Sequence, residues 1–471
     1  MTPLPTSHPM KRLLISAAHK SSGKTTICIG LCKALSDQGD KVQPYKKGPD
    51  YIDPMWLGRA ANRACYNLDF YTMQRDEILA KMHRYSATAD ISLIEGNKGL
   101  YDGLDLEGSN SNAALARLTH SPVILVIDVQ GMTRGIAPLV LGYQAFEPDI
   151  HIAGIIFNQI RGQRHESKLR AVIEHYTDVP VVGAVYHNKS MAIVERHLGL
   201  VPSNESHAAD ERIAHIGHLI AQQVDLDSLH QIAAASPTMP ETRFSLQRDD
   251  QAPNVRIAVA RDAAFGFYYP DDLEALQAAG AELVPFNALE DATLPACDGL
   301  FIGGGFPETH MASLEANQAL RMAIKAAIED GLPTYAECGG LMYLARQLTW
   351  QEKSCEMVGV IPGDISMHSR PMGRGYIQLQ ETPDHPWPGG SEDEACLIPG
   401  HEFHYSVLEN LPADQEFAYH VRRGVGIDGQ HDGLIYKNLL ASYAHLRDTS
   451  RYHWAKRFVG FVRACKSKNS I

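Results

Sequence analysis

Short, almost continuously apolar segments recur along the first half of this sequence, separated by stretches with helical periodicity. The segments are residues 13–15, 91–94, 123–127 and 152–157. Strands that lack polar alternation are buried on both faces, which is typical of a parallel sheet with helices on either side. The pattern predicts an α/β fold with a parallel sheet, a first helix near residues 24–38 and a second strand at 41–45.

The chain has 471 residues, which is long for a single hydrophobic core. Residues 235–254 lose the periodicity and gain Pro, Ser and charged side chains, as linkers do. A new series of strands and helices begins at residues 255–260. We therefore expect a first α/β domain over residues 10–234, a linker over 235–254 and a second α/β domain over 255–460.

The composition is that of an ordinary soluble globular protein, with 44% apolar residues, 21% charged residues and a net charge of −12. Such an acidic chain lacks the basic surface that non-specific nucleic-acid binding needs. We find neither a signal-peptide pattern nor an apolar run of about 18 residues. The eight cysteines are scattered, which suits a reducing compartment. We expect a cytoplasmic protein that binds neither membranes nor nucleic acids.

A glycine-containing loop over residues 18–25 follows the first predicted strand and opens the first helix. It fits the phosphate-binding pattern G-x-x-x-x-G-K-[ST] except at Ala18, where the first glycine is missing. This P-loop wraps backbone N–H groups around phosphate, with its lysine on the β and γ oxygens and its hydroxyl on Mg²⁺. The expected nucleotide contacts are Ser22, Gly23, Lys24, Thr25 and Thr26. The alternative is an ordinary strand–turn–helix junction.

A carboxylate stands directly after the apolar run 91–94. Glu95 leads into residues 96–103, which contain three glycines and a further carboxylate, Asp102. A P-loop enzyme needs an acidic residue at the end of another strand to hold the metal or its water shell. Glu95 is the candidate, with a plain turn as the alternative. Asp128 also ends an apolar run, but there we expect a helix cap or another structural role.

The charged segment 46–54 follows the predicted second strand. Because the carboxyl ends of parallel strands meet at the edge where open α/β sheets bind ligands, this segment should lie beside the P-loop. We expect Asp50 and Asp53 to face Mg²⁺ and phosphate. Lys46 and Lys47 would face phosphate or the carboxylates of a substrate.

In the second half, residues 334–344 have the layout of a nucleophile elbow, a strand and a helix joined by a sharp turn. Cys338 occupies the nucleophile position, although a buried structural thiol is the alternative. Backbone N–H groups beside the elbow would form an oxyanion hole. The candidates are Gly304, Gly305 and Gly339. His445 is the candidate general base, with His401 and His404 as rivals.

Together these residues resemble the cobyrinic acid a,c-diamide synthase family, from about Arg12 to His445. The signatures are KGPDYIDP at 47–54, EGNKGLYDG at 95–103, RHLGLVP at 196–202, ARDAAFGFYYPDDL at 260–273, GGGFPE at 303–308, ECGGLMYL at 337–344 and GHEFHYS at 400–406. The resemblance implies a P-loop domain like dethiobiotin synthase, followed by a class I, triad-type glutamine amidotransferase domain.

The resemblance also implies an activity. Members are ATP- and glutamine-dependent ligases that amidate acetate side chains of a modified tetrapyrrole. A carboxylate is first activated as an acyl phosphate, because its oxide is too poor a leaving group for ammonia to displace. Cys338 would attack glutamine with His445 as its base, and so release the ammonia. The implied partners are ATP, Mg²⁺, L-glutamine and the tetrapyrrole.

Further site residues follow from the resemblance alone. Metal contacts would come from Thr25, Asp50 and Glu95. Asp50 and Asp102 would also lie around the phosphates and the activated carboxylate, while Tyr51 and Ile52 would border the tetrapyrrole. Asn158 would read adenine, with helix capping as its alternative.

The sequence departs from the family near the expected substrate side. Leu57 stands where many members have a histidine, and Arg447 stands where a second histidine is common. These departures leave cobyrinic acid, sirohaem and sirohydrochlorin open as substrates. We expect Trp56 to offer an apolar face to the ring, with a place in the core as the alternative.

A rival from another class is a P-loop regulatory or partitioning ATPase with a degenerate glutaminase domain. Those ATPases usually carry a second lysine where this chain has His19, and an intact Cys338 also counts against a degenerate domain. The sequence leaves the oligomeric state open, with a homodimer as one option.

Overall fold

The computed structural model describes residues 10–193, 195–196, 199–205, 208–246, 251–389 and 396–469. The chain divides into two compact units, Met1–Leu246 and Gln247–Ile471. Each unit has an α/β architecture, so the predicted fold class is confirmed. Among the helices described, none combines the length and the hydropathy needed to cross a membrane.

The first unit is built around a parallel sheet. Its strands are β1 (Arg12–Ala17), β2 (Val42–Lys47), β3 (Tyr66–Leu68), β4 (Ile91–Gly99), β5 (Val123–Asp128), β6 (Ile152–Ile160), β7 (Val181–Tyr186), β8 (Glu195–Arg196) and β9 (Gly199–Leu200). Its helices are α1 (Lys24–Asp37), α2 (Ile52–Ala61), α3 (Arg75–Ser86), α4 (Asn112–Thr119), α5 (Ile136–Phe146), α6 (Gln163–Tyr176), α7 (Ala209–Gln223) and α8 (Leu226–Ala234), with a 3₁₀ turn at Lys189–Met191. Seven strands form one sheet in the order β3-β2-β4-β1-β5-β6-β7, and all neighbours in it are parallel.

Two strands extend further than their apolar runs predicted. β2 ends at Lys47, and β4 continues through Glu95 to Gly99. Lys46 lies opposite Glu95 in the parallel pairing of these strands. The polar side chains interrupted the apolar pattern but not the hydrogen-bonded ladder. The two lysines therefore belong to the sheet itself, whereas the sequence placed them in the segment after it.

The residues after α8 have no regular secondary structure up to Leu246, yet they are bonded to the first unit. The Arg12 guanidinium donates to the carbonyl of Pro237, and Ser236 Oγ donates to the Arg12 carbonyl at 2.9 Å. Further along, Arg84 Nη1 donates to the carbonyl of Leu246 at 2.8 Å. The first part of the expected linker thus lies along the first unit.

The second unit contains a larger, mixed sheet. Its strands are β10 (Val255–Ala260), β11 (Phe265–Phe267), β12 (Ala281–Phe286), β13 (Gly299–Ile302), β14 (Gly304–Gly305), β15 (Thr334–Glu337), β16 (Gln347–Trp350), β17 (Lys353–Glu356), β18 (Asp364–Met367), β19 (Gly373–Glu381), β20 (Ile398–His404), β21 (Ser406–Glu409), β22 (Phe417–Arg423), β23 (His431–Tyr436) and β24 (Leu439–Ser442). Its helices are α9 (Pro270–Ala278), α10 (Met311–Ala316), α11 (Gln318–Glu329), α12 (Gly339–Leu344) and α13 (Trp454–Asn469), with a 3₁₀ turn at Pro307–Thr309.

Nine of these strands form one sheet in the order β12-β10-β13-β15-β24-β23-β22-β19-β20. The first five strands in this order, β12, β10, β13, β15 and β24, pair in parallel. The remaining neighbours in the sheet are antiparallel. The parallel part is covered on both faces: Ile302 and Ala336 belong to one apolar cluster, while Phe301 and Tyr335 belong to another. Successive side chains of β15 thus pack into apolar clusters on opposite faces of the sheet, so β15 is buried on both faces, with β24 beside it.

Candidate active sites

The loop between β1 and α1 has the backbone of an anion-binding site. Gly23, directly before α1, has φ +77°, and no side chain in the described chain caps that end of the helix. Unpaired N–H groups at a helix N-terminus favour phosphate. A Cβ at position 23 would lie 2.2 Å from Nδ2 of Asn158, so only glycine fits. Lys24 and Thr25 begin α1, and Thr26 is half-buried in its first turn.

Two neighbouring side chains hold this loop. Ser22 is buried, and its Oγ donates to the His19 carbonyl at 2.8 Å. Asn158 lies near the end of β6; its Nδ2 donates to the Ser22 carbonyl at 2.8 Å and its Oδ1 accepts from the Gln159 N–H at 2.9 Å. In this structure Asn158 supports the P-loop and does not cap a helix. Its reading of adenine stays a prediction.

The P-loop hydroxyl meets the carboxylates of β4 and α2. Thr25 Oγ1 donates to Oε1 of Glu95 at 2.6 Å and lies 3.3 Å from Oδ2 of Asp53. Lys24 Nζ is 3.7 Å from the same Glu95 oxygen. Glu95 is 1% exposed, so the elements of the predicted nucleotide site come together inside the sheet edge.

Lys46 occupies the centre of this group of carboxylates. Its Nζ lies 2.5 Å from Oδ2 of Asp53, 3.2 Å from Oε1 of Glu95 and 3.7 Å from Oδ2 of Asp50. Burial opposes a charge here, but the three carboxylates outweigh it and raise the pKa of Lys46 well above its ordinary value. Burial and the charge of Asp53 raise the pKa of Asp50 to about 7. Lys46 therefore pairs with protein carboxylates, which corrects the expectation that it faces phosphate or substrate.

Lys47 is in a different environment from Lys46. Its Nζ donates to Oδ1 of Asn97 at 3.1 Å. Burial, together with neighbouring cations, lowers the pKa of Lys47 to about 8. A lysine with a neutral partner and a lowered pKa remains available to an anionic group in a way that Lys46 does not.

The oxygen atoms at this edge suit Mg²⁺, which prefers hydroxyl, carboxylate, phosphate and water oxygens. Oε2 of Glu95 is buried and has no hydrogen-bond partner among the described residues. Over the same part of the chain, no three His, Cys, Asp or Glu side chains converge on a point that could hold a metal by themselves. An ion bound by Glu95 and Thr25 would thus need phosphate and water oxygens to complete its shell.

The residues expected to border the substrate lie beside this group. Asp50 Oδ1 accepts from the Asp53 N–H at 3.1 Å and so stabilises the start of α2. Tyr51 and Ile52, at the same helix end, retain only 8% and 9% of their exposure. Asp102 is exposed, and its Oδ2 accepts from the Gly99 N–H at 2.9 Å. The structure brings all four to one end of β2, β4 and α2.

Two other expectations at this edge had different outcomes. Trp56 is completely buried, and its Nε1 donates to the carbonyl of Val201 at 2.9 Å. The expectation that Trp56 faces a ring is therefore wrong, because the side chain is part of the core, as is Leu57. Asp128 accepts from the Gln130 N–H at 2.9 Å, which is a structural role of the kind predicted.

In the second unit, Cys338 lies between β15 and α12 in a strained conformation, with φ +46° and ψ −99°. Such strain is typical of a nucleophile elbow, which turns the thiol out of the strand. The turn is tight: a Cβ at Gly340 would lie 2.2 Å from the Ile302 carbonyl oxygen. The Cys338 N–H donates to the Ser442 carbonyl at 2.7 Å, which ties the elbow to β24.

His445 follows β24, and its imidazole lies close enough to the Cys338 side chain for the thiol to raise the pKa of the ring. Its Nδ1 lies 3.2 Å from Oε2 of Glu337, the residue before the nucleophile. Burial opposes protonation of the imidazole, but the bonds to Cys338 and Glu337 outweigh it and raise the pKa of His445 to about 10. Cys338 and His445 thus form the contact that a thiol and its general base require.

The two rival histidines have other partners. The His401 ring stacks on the His445 ring with centroids 4.9 Å apart, and burial lowers the pKa of His401 well below its ordinary value. His404 stacks on Tyr443 at 3.9 Å, and its Nδ1 lies 2.8 Å from the Ser406 carbonyl oxygen. Of the three candidates, His445 is the one placed against the thiol.

The three predicted oxyanion glycines meet beside the elbow. A Cβ at Gly304 would lie 2.6 Å from Cε1 of His445, and a Cβ at Gly339 would lie 2.9 Å from the Gly305 nitrogen. Gly304 and Gly305 form β14, and the pairing of β14 with β11 holds them in place. Their role as oxyanion donors stays a prediction.

Sequence reasoning missed the contact of Glu337 with His445. The one signal was a carboxylate at the end of the strand, directly before the nucleophile. Charged residues are almost never fully buried unless they are paired, so Glu337 had to have a partner, but the sequence did not identify it.

Comparisons with known proteins match both units. Residues 14–201 match the family described as a CobQ/CobB/MinD/ParA nucleotide binding domain, and residues 256–451 match the CobB/CobQ-like glutamine amidotransferase domain. The cobyrinate a,c-diamide synthase of Magnetococcus marinus is 46% identical, over 96% of this chain and 97% of its own length. The enzyme of that name from Methanosarcina acetivorans is 43% identical, over 92% of each chain.

Proposed function

Since the chain belongs to the cobyrinate a,c-diamide synthase family, we propose that it amidates acetate side chains of cobyrinate through an acyl phosphate. It is a glutamine-dependent amidotransferase, a carbon–nitrogen ligase. One observation supports the chemistry most directly: Cys338 is in contact with its base His445 on a strained elbow. A degenerate glutaminase domain, which the rival regulatory ATPase would carry, has no need to keep that contact.

The glutaminase half of the reaction uses the second unit. The Cys338 sulfur attacks the side-chain carbonyl of glutamine, and the oxyanion that forms lies beside the N–H groups of the glycine turn. His445 gives a proton to the departing nitrogen, so ammonia leaves and a thioester remains. Water then attacks the thioester, with His445 as base, to release glutamate and restore the thiol.

The synthetase half uses the first unit. A substrate carboxylate attacks the γ-phosphorus of ATP, ADP leaves, and an acyl phosphate forms. Ammonia then attacks the acyl carbon and phosphate departs, which leaves the amide. Lys24 and the N–H groups before α1 bind the phosphates and stabilise the charge that develops on them. Mg²⁺, bound through Thr25 and Glu95, with Asp50 nearby, would offset the negative charge of the phosphates.

The roles of the remaining residues form part of the proposal. We assign the ATP-dependent step to residues 10–234 and the glutaminase to residues 255–460, joined by 235–254. Tyr51 and Ile52 would border the tetrapyrrole, and Asp50 and Asp102 would lie near its activated carboxylate. Their position at the end of β2 and α2, beside the P-loop hydroxyl, supports this assignment.

Cobyrinate is favoured over sirohaem and sirohydrochlorin. The two departures from the family pattern, at Leu57 and Arg447, left those alternatives open. In the structure Leu57 packs in the core and Arg447 pairs with Asp271, so both departures have a structural explanation within the protein. The two relatives cited above, which cover 96% and 92% of this chain, carry the cobyrinate name.

The test offers the purified enzyme each of the three tetrapyrroles with ATP, Mg²⁺ and glutamine. Mass spectrometry detects the replacement of a carboxyl OH by NH₂, and ADP release is followed in parallel. Amidation of cobyrinic acid alone is the expected result. Turnover of sirohaem alone would overturn the substrate, and the absence of glutamine-dependent ADP release with all three would overturn the proposed function.

A further inference from the structure

The general base of a thiol enzyme needs a third group that fixes its ring. Directly after His445, the carboxylate of Asp448 is bonded to His453 and to the Ala455 N–H, and Arg447 is a cation that points elsewhere. Its Nη2 lies 2.7 Å from Oδ2 of Asp271, and its guanidinium carbon lies 3.7 Å from the ring centre of Tyr269. The orienting group must come from another element.

Glu337 is placed to do this. Its Oε2 lies 3.2 Å from Nδ1 of His445, while its Oε1 accepts from the Tyr335 hydroxyl at 2.6 Å and from the Leu446 N–H at 3.1 Å. We infer that Glu337 is the positioning carboxylate of this glutaminase: it holds the His445 ring with its Nδ1–H toward Glu337 and its other nitrogen toward Cys338. The inference rests on the glutaminase half of the proposed function.

The elbow explains how adjacent residues can reach one ring. Successive side chains of a strand point to opposite faces, so Glu337 and Cys338 would diverge in a regular strand. The left-handed backbone at Cys338, with φ +46°, turns the thiol out of that alternation. Glu337 pairs with Ser442 of β24, and His445 lies shortly beyond that strand end. The strain at the elbow therefore permits both side chains to contact the imidazole.

The charges around His445 support a role for the carboxylate. Glu337 on β15 is the carboxylate in hydrogen-bond distance of Nδ1 of the ring. On β20, His401 is kept neutral by burial, since its pKa is lowered well below the ordinary value. Arg447 is paired with Asp271 and Asp272 of α9. The buried imidazolium that forms during catalysis thus depends on Glu337 and on the thiolate for compensation.

The decisive variant is Glu337→Gln. Because Oε1 accepts two hydrogen bonds, the amide oxygen of the variant should take that side and leave its NH₂ group facing His445 Nδ1. The ring would then carry its proton on the nitrogen that faces Cys338, which is the wrong tautomer for a base. We expect glutamate release from glutamine to fall by more than about 100-fold, since the comparable change in serine hydrolases costs on the order of 10⁴ in kcat.

Synthesis from added ammonia distinguishes a failure of this inference from a failure of the proposed function. Glu337→Gln should still amidate cobyrinic acid from added ammonia, because carboxylate activation belongs to the first unit. Normal glutaminase activity in this variant would overturn the role of Glu337 and leave the proposed function intact. A wild-type enzyme that hydrolyses no glutamine would overturn the proposed function instead.

A pH profile distinguishes positioning from a purely structural role. The rate of Cys338 alkylation by iodoacetamide is measured against pH, with the modified peptide identified by mass spectrometry. Without the anion beside the imidazolium, the thiolate is less stabilised, so the midpoint of the profile should move to higher pH. Glu402→Gln is the matched control. Glu402 is equally buried but accepts from the Val425 and Gly426 N–H groups, so its profile should keep the wild-type midpoint.

A shared midpoint in Glu337→Gln and wild type would overturn the inference. If Glu337→Gln does not fold, judged by circular dichroism, Glu337→Asp replaces it. The shorter carboxylate keeps the charge but withdraws from Nδ1, so glutaminase activity should fall while ammonia-dependent synthesis continues. Wild-type glutaminase activity in Glu337→Asp would also overturn the inference.

Discussion

The ammonium group of Lys46 lies 2.5 Å from Oδ2 of Asp53, at the edge of the first sheet where the P-loop ends. Glu95 and Asp50 lie on its other sides, at 3.2 and 3.7 Å. A buried cation among three carboxylates holds these groups close together. A lysine of the protein is thus the common partner of the carboxylates at this site.

Lys46→Met should destabilise the first unit strongly. Removing the lysine leaves the buried Glu95 and two half-buried aspartates without their cation, and breaking a buried ion pair typically costs about 3–5 kcal/mol. Lys47→Met is the matched control, and it should cost less because Lys47 donates to the neutral Asn97. Urea denaturation followed by circular dichroism measures both. Equal losses in the two variants would contradict the central position of Lys46.

Cys338→Ser should abolish synthesis from glutamine and spare synthesis from added ammonia. The hydroxyl is a much weaker nucleophile than the thiol, whereas carboxylate activation takes place in the first unit. Amide formation is measured with each nitrogen source. Loss of both activities in a folded variant would mean that the thiol has a second role.

Lys24→Ala should stop synthesis from both nitrogen sources. It removes a positive charge from the phosphates, and the loss of such stabilisation slows a reaction by roughly 10²- to 10³-fold. ADP release and amide formation should fall together, while the free thiol of Cys338 still reacts with iodoacetamide. Ammonia-dependent synthesis at the wild-type rate would show that the P-loop does not bind the reacting ATP.

Gly304→Ala should impair the glutaminase alone. The new methyl group would lie 2.6 Å from Cε1 of His445, so the imidazole must leave its present position beside Cys338. Gly460→Ala in α13 is the control, because nothing lies within 4 Å of its added Cβ. Glutamate release and unfolding are measured for both variants. An unchanged rate of glutamate release in Gly304→Ala would show that the ring can shift without loss of function.

The second unit should lose stability on mild acidification because of His385. Burial lowers the pKa of His385 to about 4. A base with a lowered pKa binds its proton more readily in the unfolded chain, so its contribution is complete above 6.5 and is lost as the pH falls from 6.5 toward 4. The difference corresponds to about 3 kcal/mol in the free energy of unfolding. His385→Gln should remove part of this pH dependence, while the buried His401, whose pKa is also lowered, should keep the remainder.

A few consecutive residues were sufficient to predict a motif wherever the motif depends on its own backbone conformation. Gly23 must adopt a left-handed conformation beside Asn158, and Cys338 must turn between a strand and a helix, so both motifs were readable from a few residues. The parallel fold followed in the same way from strands that are apolar on both faces.

The misplaced residues depend on distant partners. Lys46 belongs to β2 because Glu95 lies opposite it, and Trp56 is buried because its indole N–H reaches the carbonyl of Val201. The role of Glu337 depends on its contact with His445, which lies 108 residues later in the sequence. Charge and aromatic character identified these side chains as unusual, but the sequence did not show what they would face.

The bonds between Arg12 and the residues after α8 determine where the first unit can be separated from the second. Arg12 is 1% exposed, and its guanidinium donates to the carbonyls of Thr119, His120 and Pro237. A protein ended at Ala234, the last residue of α8, would lose one of these acceptors and uncover a buried cation. Ending it at Leu246 keeps the acceptor, so the longer fragment is the one to express when ATP-dependent activation is studied without the glutaminase.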